Sequence, residues 1–433
     1  MSQTDVSMHS AAHNAPLGLR ERVIRDAGDA RIAEIRTVRS ALQPNVLQVI
    51  VIDSDGVTGV GETFYGAGVV EAQMHEVDAP LLAIEKPLAV PQEVSRVLQG
   101  YIGYAGSGAE VRSRSAIDIA LWDIAAKRAG LPLRQLLRSE SASALPVYNT
   151  CSGAMYVNQQ SRQSTDNWGI SKEAAPDTPY EDLWGFLNRP GELAQELLEA
   201  GYRGMKVWPF DIAAEKVRGA VEIDLSFGLS VLERIRSAVG NQMDLYLEVH
   251  SLLNLDAALK LSEAVREFEL TWIEDPIRAD RTADLAVLRA SSSAPVAVGE
   301  NMGSGANGYG ALIQAQAVDT VIVDLGWCGG ITDALPLIPA TEQAGMSIAY
   351  HDCTGPVSLA VAGELSLASP NARVQEVARA FWHTWYPQMA SGIPEITAGQ
   401  LVCGSRPGHG VELLPEFLSS ASTTVRSIAV GNG

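Results

Sequence analysis

Leu245-Tyr246-Leu247-Glu248-Val249-His250, Thr271-Trp272-Ile273-Glu274-Asp275-Pro276 and Val296-Ala297-Val298-Gly299-Glu300-Asn301 are three short apolar runs that each arrive at a glutamate. The steps 274 − 248 and 300 − 274 are both 26 residues, enough for one strand, one returning helix and two short connections. Repetition at this interval is the signature of a parallel sheet built from βα units. Extending the pattern outward gives eight β-prone runs: Val147–Cys151, Gly204–Trp208, Leu245–Val249, Thr271–Glu274, Val296–Glu300, Thr320–Asp324, Ser347–His351 and Arg373–Val377. Amphipathic stretches fall between them, among them Glu192–Ala200, Leu229–Ala238, Asp256–Phe268, Thr332–Ala344 and Pro356–Ala368. Eight strands alternating with helices are what a closed (β/α)8 TIM-type barrel requires.

Upstream the pattern differs. Leu47–Asp53 and Val57–Phe64 are β-prone runs joined at Asp55-Gly56, a dipeptide suited to a tight hairpin. In Ser113–Ala129, Ala116, Ile117, Ala120, Leu121 and Ile124 recur at helical steps, and Gly130 and Pro132 mark the stop. The chain therefore divides into a polar leader (1–29), an α+β capping domain (30–145), the α/β barrel (146–392) and a C-terminal segment (393–433) returning to the cap. The polar stretch Met155–Asp182 follows the first barrel strand and is expected to be a long loop over the barrel mouth.

A net charge of −19 over 433 residues argues against nucleic acid and anionic membrane as partners. The four cysteines are scattered, the first residues lack a signal-peptide core, and no apolar run reaches 18 residues, so a cytoplasmic location is expected.

In a barrel of this kind the chemistry sits at the C-terminal strand ends. Glu248, Glu274 and Glu300 lie on three consecutive strands. Three carboxylates at close quarters call for a cation, and an all-oxygen set favours Mg²⁺. His250, two residues beyond Glu248, is expected on the same strand face, pointing at the same cleft. Asp324 and His351 end the sixth and seventh strands; a carboxylate beside an imidazole makes a general base, or else a buried salt bridge. Glu376 on the eighth strand closes the ring. Lys206, at the second strand end, could bind a carboxylate, act as a base or snorkel outward. Phe64, Tyr65 and Trp208 suggest a partly aromatic wall. Together these groups imply proton abstraction α to a carboxylate, with the metal stabilising the enediolate.

The set Lys206, Glu248, Glu274-Asp275-Pro276, Gly299-Glu300, Asp324 with Gly329-Gly330, and His351 resembles the enolase superfamily, in its mandelate racemase/muconate lactonizing enzyme branch. Ile117–Ala126 resembles the long helix of that family's cap, and Gly61-Glu62-Thr63 the turn reaching over its active site. His250 and the run His351-Asp352-Cys353-Thr354-Gly355-Pro356 are most similar to sugar-acid dehydratases of the galactonate dehydratase type. The resemblance implies Mg²⁺ on Glu248, Glu274 and Glu300, and His351, oriented by Asp324, as the base. It further implies His250 as the acid for the leaving β-hydroxyl, Glu376 as a hydrogen-bond partner of the substrate carboxylate, and Lys206, Trp208 and Tyr65 as substrate contacts. The product expected is a 2-keto-3-deoxy acid, the substrate a small sugar acid and the assembly a homo-oligomer. Racemases of the branch carry Lys-x-Lys where this chain has Lys206-Val207-Trp208, which turns the reading toward dehydration. Many members carry Asp where this chain has Glu248, setting that carboxylate one methylene further out. The remaining readings are a racemase, epimerase or cycloisomerase using the same intermediate, and a silent barrel used for binding.

Overall fold

The computed structural model describes residues 18–99, 106–159, 164–169, 178–217, 223–303 and 305–430. Most of the stretch read as a leader lies outside these residues, as do parts of the expected loop, 160–163 and 170–177. Residues 19–27, also placed in the leader, form the helix Leu19–Ala27 and bury Leu19, Val23 and Ala27.

Strands β1 (Ile32–Ser40), β2 (Val46–Asp53) and β3 (Thr58–Phe64) make an antiparallel meander, with Gly56 at φ 82° in the β2–β3 turn as the Asp-Gly dipeptide implies. The helix Ala109–Ala129 lies across them, and its residues are buried on nearly every side. Ile117, Ala120, Leu121 and Ile124 pack with Leu47, Val49 and Val51, while Ile119, Trp122 and Ala126 join the barrel's core. A helix buried all round is a helix sandwiched between layers. Its close approach to β3 depends on glycine: a Cβ at Gly61 would stand 1.8 Å from the Ala116 carbonyl oxygen, and one at Gly59 2.0 Å from that of Ala120. Gly61-Glu62-Thr63 thus lies inside β3 instead of forming the turn expected over the site; Tyr65 and Gly66 make that turn, with φ 67° and 66°.

The barrel strands are β4 (Leu145–Thr150), β5 (Gly204–Val207), β6 (Asp244–Glu248), β7 (Trp272–Glu274), β8 (Val296–Val298), β9 (Thr320–Val323), β10 (Ser347–Tyr350) and β11 (Gln375–Val377). They pair in parallel from β4 to β10, and β11 pairs β4. The seam between β10 and β11 is closed by the Ile348–Ala372 bridge and by Gln375 Nε2, which donates to the Tyr350 carbonyl at 2.9 Å. Tyr148, Tyr246, Trp272, Ala297, Ile322 and Ala349 fill the barrel interior, with Tyr148 and Tyr246 stacked at 4.4 Å. The mouth lies above this plug.

After the barrel come β12 (Ala390–Ser391), β13 (Glu395–Thr397), β14 (Gln400–Val402), β15 (Glu412–Leu413) and β16 (Thr423–Ala429). The C-terminal segment touches both layers: β14 pairs β4, and β16 completes the cap sheet against β1. Among the described residues no helix is long and apolar enough to cross a membrane.

Candidate active site

The register of the barrel brings the three glutamates together. Glu248 and Glu274 are direct partners across β6 and β7, and one carboxylate oxygen from each of Glu248, Glu274 and Glu300 falls within 4.8 Å of the others. All three are buried. The strand expected over Val296–Glu300 stops at Val298, because Gly299 takes φ 137° and donates its N–H to Asp275 Oδ1 at 3.0 Å. That turn carries Glu300 inward. Glu248 Oε1 accepts from the Val249 and His250 backbone N–H groups at 2.8 and 2.6 Å, whereas its Oε2 is buried without a hydrogen bond. A buried carboxylate oxygen left over in an all-carboxylate cluster is the donor chemistry of a hard divalent cation, so the residues fit Mg²⁺.

Lys206 does not snorkel. Its ammonium is buried, 2.6 Å from Glu274 Oε1 and 2.8 Å from Glu376 Oε1, with Glu248 Oε2 at 3.5 Å. Burial alone would lower its pKa, but Glu274 and Glu376 outweigh that and hold it well above the usual lysine range. Burial, then Glu248 and Glu376, push the Glu274 carboxyl up against the opposing pull of Lys206. Glu376 goes the other way, held below the ordinary range because Lys206 and His351 overcome its burial. Its Oε2 also accepts from the Asp352 N–H at 3.2 Å.

Two imidazole–carboxylate pairs stand at this mouth. His351 Nδ1 lies 2.7 Å from Asp324 Oδ2, joining the ends of adjacent strands, and its Nε2 is 3.3 Å from Glu300 Oε2. Burial opposes protonation of His351, yet Glu300, Glu376 and Asp324 raise its pKa well above the usual histidine range. The second pair was not foreseen: His250 Nδ1 lies 2.6 Å from Asp211 Oδ2. Asp211 opens the helix Asp211–Val217, which was not assigned from the sequence, although a carboxylate two residues after Pro209 is a recognisable helix start. His250 reaches the mouth for a different reason from the one expected. It is not on the strand face, since β6 ends at Glu248 and His250 and Ser251 both adopt left-handed backbone, φ 48° and 60°. β6 and β10 stand four strands apart in a ring of eight, so the two histidines come from opposite sides of the barrel.

A small cavity is lined by His250, His351, Lys206, Glu300 and Glu376, with Tyr65, Trp208, Trp327, Tyr156, Thr150 and Cys353 forming its walls. The expected aromatic contacts Tyr65 and Trp208 are present, whereas Phe64 packs edge-on behind Tyr65 at 4.5 Å. Trp327, missed in the sequence, lies 5.2 Å from the His351 ring and donates to the Phe64 carbonyl at 3.1 Å. Arg112 covers its outer face at 4.7 Å.

The cap docks on the loops that follow Asp324 and His351. Thr63 Oγ1 donates to the Gly326 carbonyl at 2.7 Å, the Gly329 N–H donates to Ser115 Oγ at 2.9 Å, and the Thr332 N–H donates to Asp118 Oδ2 at 2.9 Å. Glu62 accepts from the Ser358 N–H at 2.9 Å, at the N-terminus of the helix Pro356–Ala368. Burial pushes the carboxyls of both Glu62 and Asp118 up to about 7, even though these hydrogen bonds favour the charged form.

Known proteins share this two-domain architecture. The Enolase C-terminal domain-like family matches residues 190–417, and the N-terminal domain family of mandelate racemase and muconate lactonizing enzyme matches residues 21–138. The chain belongs to the enolase superfamily, in its mandelate racemase/muconate lactonizing enzyme branch. It is 36% identical to an enolase of the mandelate racemase subgroup from Agrobacterium tumefaciens, with a TM-score of 0.79 over 92% of this chain and 99% of that one. It is 26% identical over 411 residues to a D-galactonate dehydratase family member of Catenulispora acidiphila, covering 88% of this chain and 86% of the relative. It is 24% identical over 396 residues to the D-xylonate dehydratase of Haloferax volcanii, covering 89% and 88%.

Proposed function

We propose that the protein is a Mg²⁺-dependent acid-sugar dehydratase that converts a small polyhydroxy carboxylate to its 2-keto-3-deoxy acid. The observation that carries the reading is the pair of imidazoles, His250 and His351, lining one cavity from opposite sides beside the three-carboxylate cluster. Elimination of water needs a base at the α carbon and an acid at the β oxygen, and two separated imidazoles supply both. The names of two similar chains, a D-galactonate dehydratase family member and a D-xylonate dehydratase, support the reading.

Glu248, Glu274 and Glu300 would hold the metal. When bound, Mg²⁺ supplies positive charge that acidifies the α proton and offsets the anionic field around His351. Asp324 keeps the His351 ring in register and stabilises its protonated form once the α proton has moved to Nε2. Glu376, ion-paired to Lys206, lines the cavity where a substrate carboxylate would sit. Trp327 and Tyr65 seal the base side from water. The β carbon then releases its hydroxyl toward His250.

The test is a screen of aldonic and aldaric acids with the wild type and His351→Asn, read as keto-acid formation. Turnover by the wild type that vanishes in the variant supports the reading; equal turnover by both overturns the assigned base. Deuterium entering recovered substrate in D₂O with no keto acid formed would make the enzyme an epimerase or racemase instead.

A further inference from the structure

We propose that Asp211 is the positioning residue of the acid half of the site: by accepting from His250 Nδ1 it fixes the ring with Nε2 toward the substrate, and so governs departure of the hydroxyl without governing removal of the α proton. This rests on the dehydratase reading above.

The geometry has three parts. The His250 backbone is pinned, since its N–H donates to Glu248 Oε1 at 2.6 Å and the next N–H, of Ser251, donates to the Asp275 carbonyl at 2.6 Å. With φ held at 48°, what remains free is rotation of the ring, and the 2.6 Å contact with Asp211 Oδ2 removes that freedom. With Nδ1 committed, donation to substrate falls to Nε2. Trp208, from the same strand end as Asp211, stands edge-on to the ring at 5.8 Å. The second oxygen of Asp211, Oδ1, is buried and has no hydrogen bond. Finally, His250 and Tyr156 line both the catalytic cavity and an adjoining hollow that Asp211, Thr165, Trp168 and Glu215 also line. The His250 side chain is 20% exposed against 6% for His351, so the acid has access to a proton source that the base lacks.

The step balances as follows. His351 takes the α proton and the C–H electron pair is held as an enediolate; re-formation of the carboxylate then drives that pair into the Cα–Cβ bond as the β C–O bond breaks. The leaving oxygen takes the C–O pair and the Nε2 proton of His250 and departs as water. The enol left behind tautomerises to the keto acid.

The experiment compares wild type, Asp211→Asn, Asp211→Ala and His250→Asn in D₂O on a sugar acid found by the screen. Asp211→Asn preserves the shape and removes the charge. The expected result is a fall in kcat for elimination of about 100-fold or more in both Asp211 variants, with KM within threefold. Deuterium entry into recovered substrate should continue, so the ratio of exchange to elimination rises as it does in His250→Asn. Equal loss of exchange and elimination, or elimination within threefold of wild type, overturns the proposal. Nitrogen-15 spectra of histidine-labelled protein supply a readout independent of substrate: in the wild type Nδ1 of His250 should stay protonated both in the imidazolium that donates from Nε2 and in the neutral ring it leaves, and Asp211→Asn should lose that preference in the neutral ring. A wild-type His250 bare at Nδ1 overturns the proposal. A wild type that neither exchanges nor eliminates any acid sugar instead sinks the dehydratase reading, while the nitrogen spectra still decide the role of Asp211.

Discussion

The two histidine–carboxylate pairs have nearly equal lengths, 2.7 Å for His351–Asp324 and 2.6 Å for His250–Asp211, but they are held in opposite ways. His351 and Asp324 follow the ends of adjacent barrel strands β10 and β9, and the loops behind them are fastened to the cap by Thr63, Ser115, Asp118 and Glu62. His250 sits in a left-handed turn, and Asp211 comes from the short helix beyond β5. One half is framework and cap, the other loop and helix terminus. Abstracting a proton from carbon is the harder step and needs fixed geometry and exclusion of water. A general acid that must be reprotonated is better served by partial exposure.

That difference can be broken at several points. The largest effect belongs to the base half. His351→Asn should remove both deuterium exchange and elimination, by about 10²–10⁴-fold, as followed by proton NMR in D₂O. Retained exchange would place the base elsewhere. Next comes the cluster that both halves share: Mg²⁺ at 100 times its Kd should stabilise the wild type by about 2.7 kcal/mol, seen as a rise in Tm, and Glu274→Gln should shrink that rise. A variant that gains as much as the wild type would move the metal off these carboxylates.

Smaller effects test the cap's grip on the base half. Gly61→Ala forces a methyl group against the Ala116 carbonyl, 1.8 Å away, and should destabilise the fold by about 3 kcal/mol in urea unfolding. Kinetically it should slow exchange and elimination together, since the cap covers the base. Glu62→Gln tests the same contact through pH. The Glu62 carboxyl is raised from 4.5 to about 7, so the folded state binds a proton that the unfolded chain releases. Stability should therefore be fullest below pH about 4.5, fall as pH rises through about 7, and level off above, by less than about 3 kcal/mol in all. The Gln variant should lack this part of the slope. Parallel unfolding curves for wild type and variant from pH 5 to 8 would contradict it.

The strand-end residues of the site were legible in the sequence and the pairing of His250 with Asp211 was not, for a physical reason. Glu248 and Glu274 end their strands, Asp324 and His351 directly follow theirs, and Lys206 and Glu376 lie one residue before a strand end; strands spaced by one βα unit fix the position of such residues in advance. Glu300 was located equally well, although Gly299 had already ended its strand. His250 was assigned to the right cleft on the wrong geometry, because nothing in the sequence signals two consecutive non-glycine residues at positive φ. Asp211 pairs with His250 across 39 positions, a distance no local pattern spans. The cap helix was readable from its apolar spacing, but its burial on both sides, and the placing of Glu62 on a barrel helix, depend on how two layers dock.

The most direct measurement is His250→Asn incubated with a turned-over sugar acid in D₂O, followed by NMR at the α carbon. Division of labour between the two histidines requires the α-proton signal of recovered substrate to fade while no keto acid accumulates. Keto acid formed at the wild-type rate, or an α proton that persists unchanged, would contradict it.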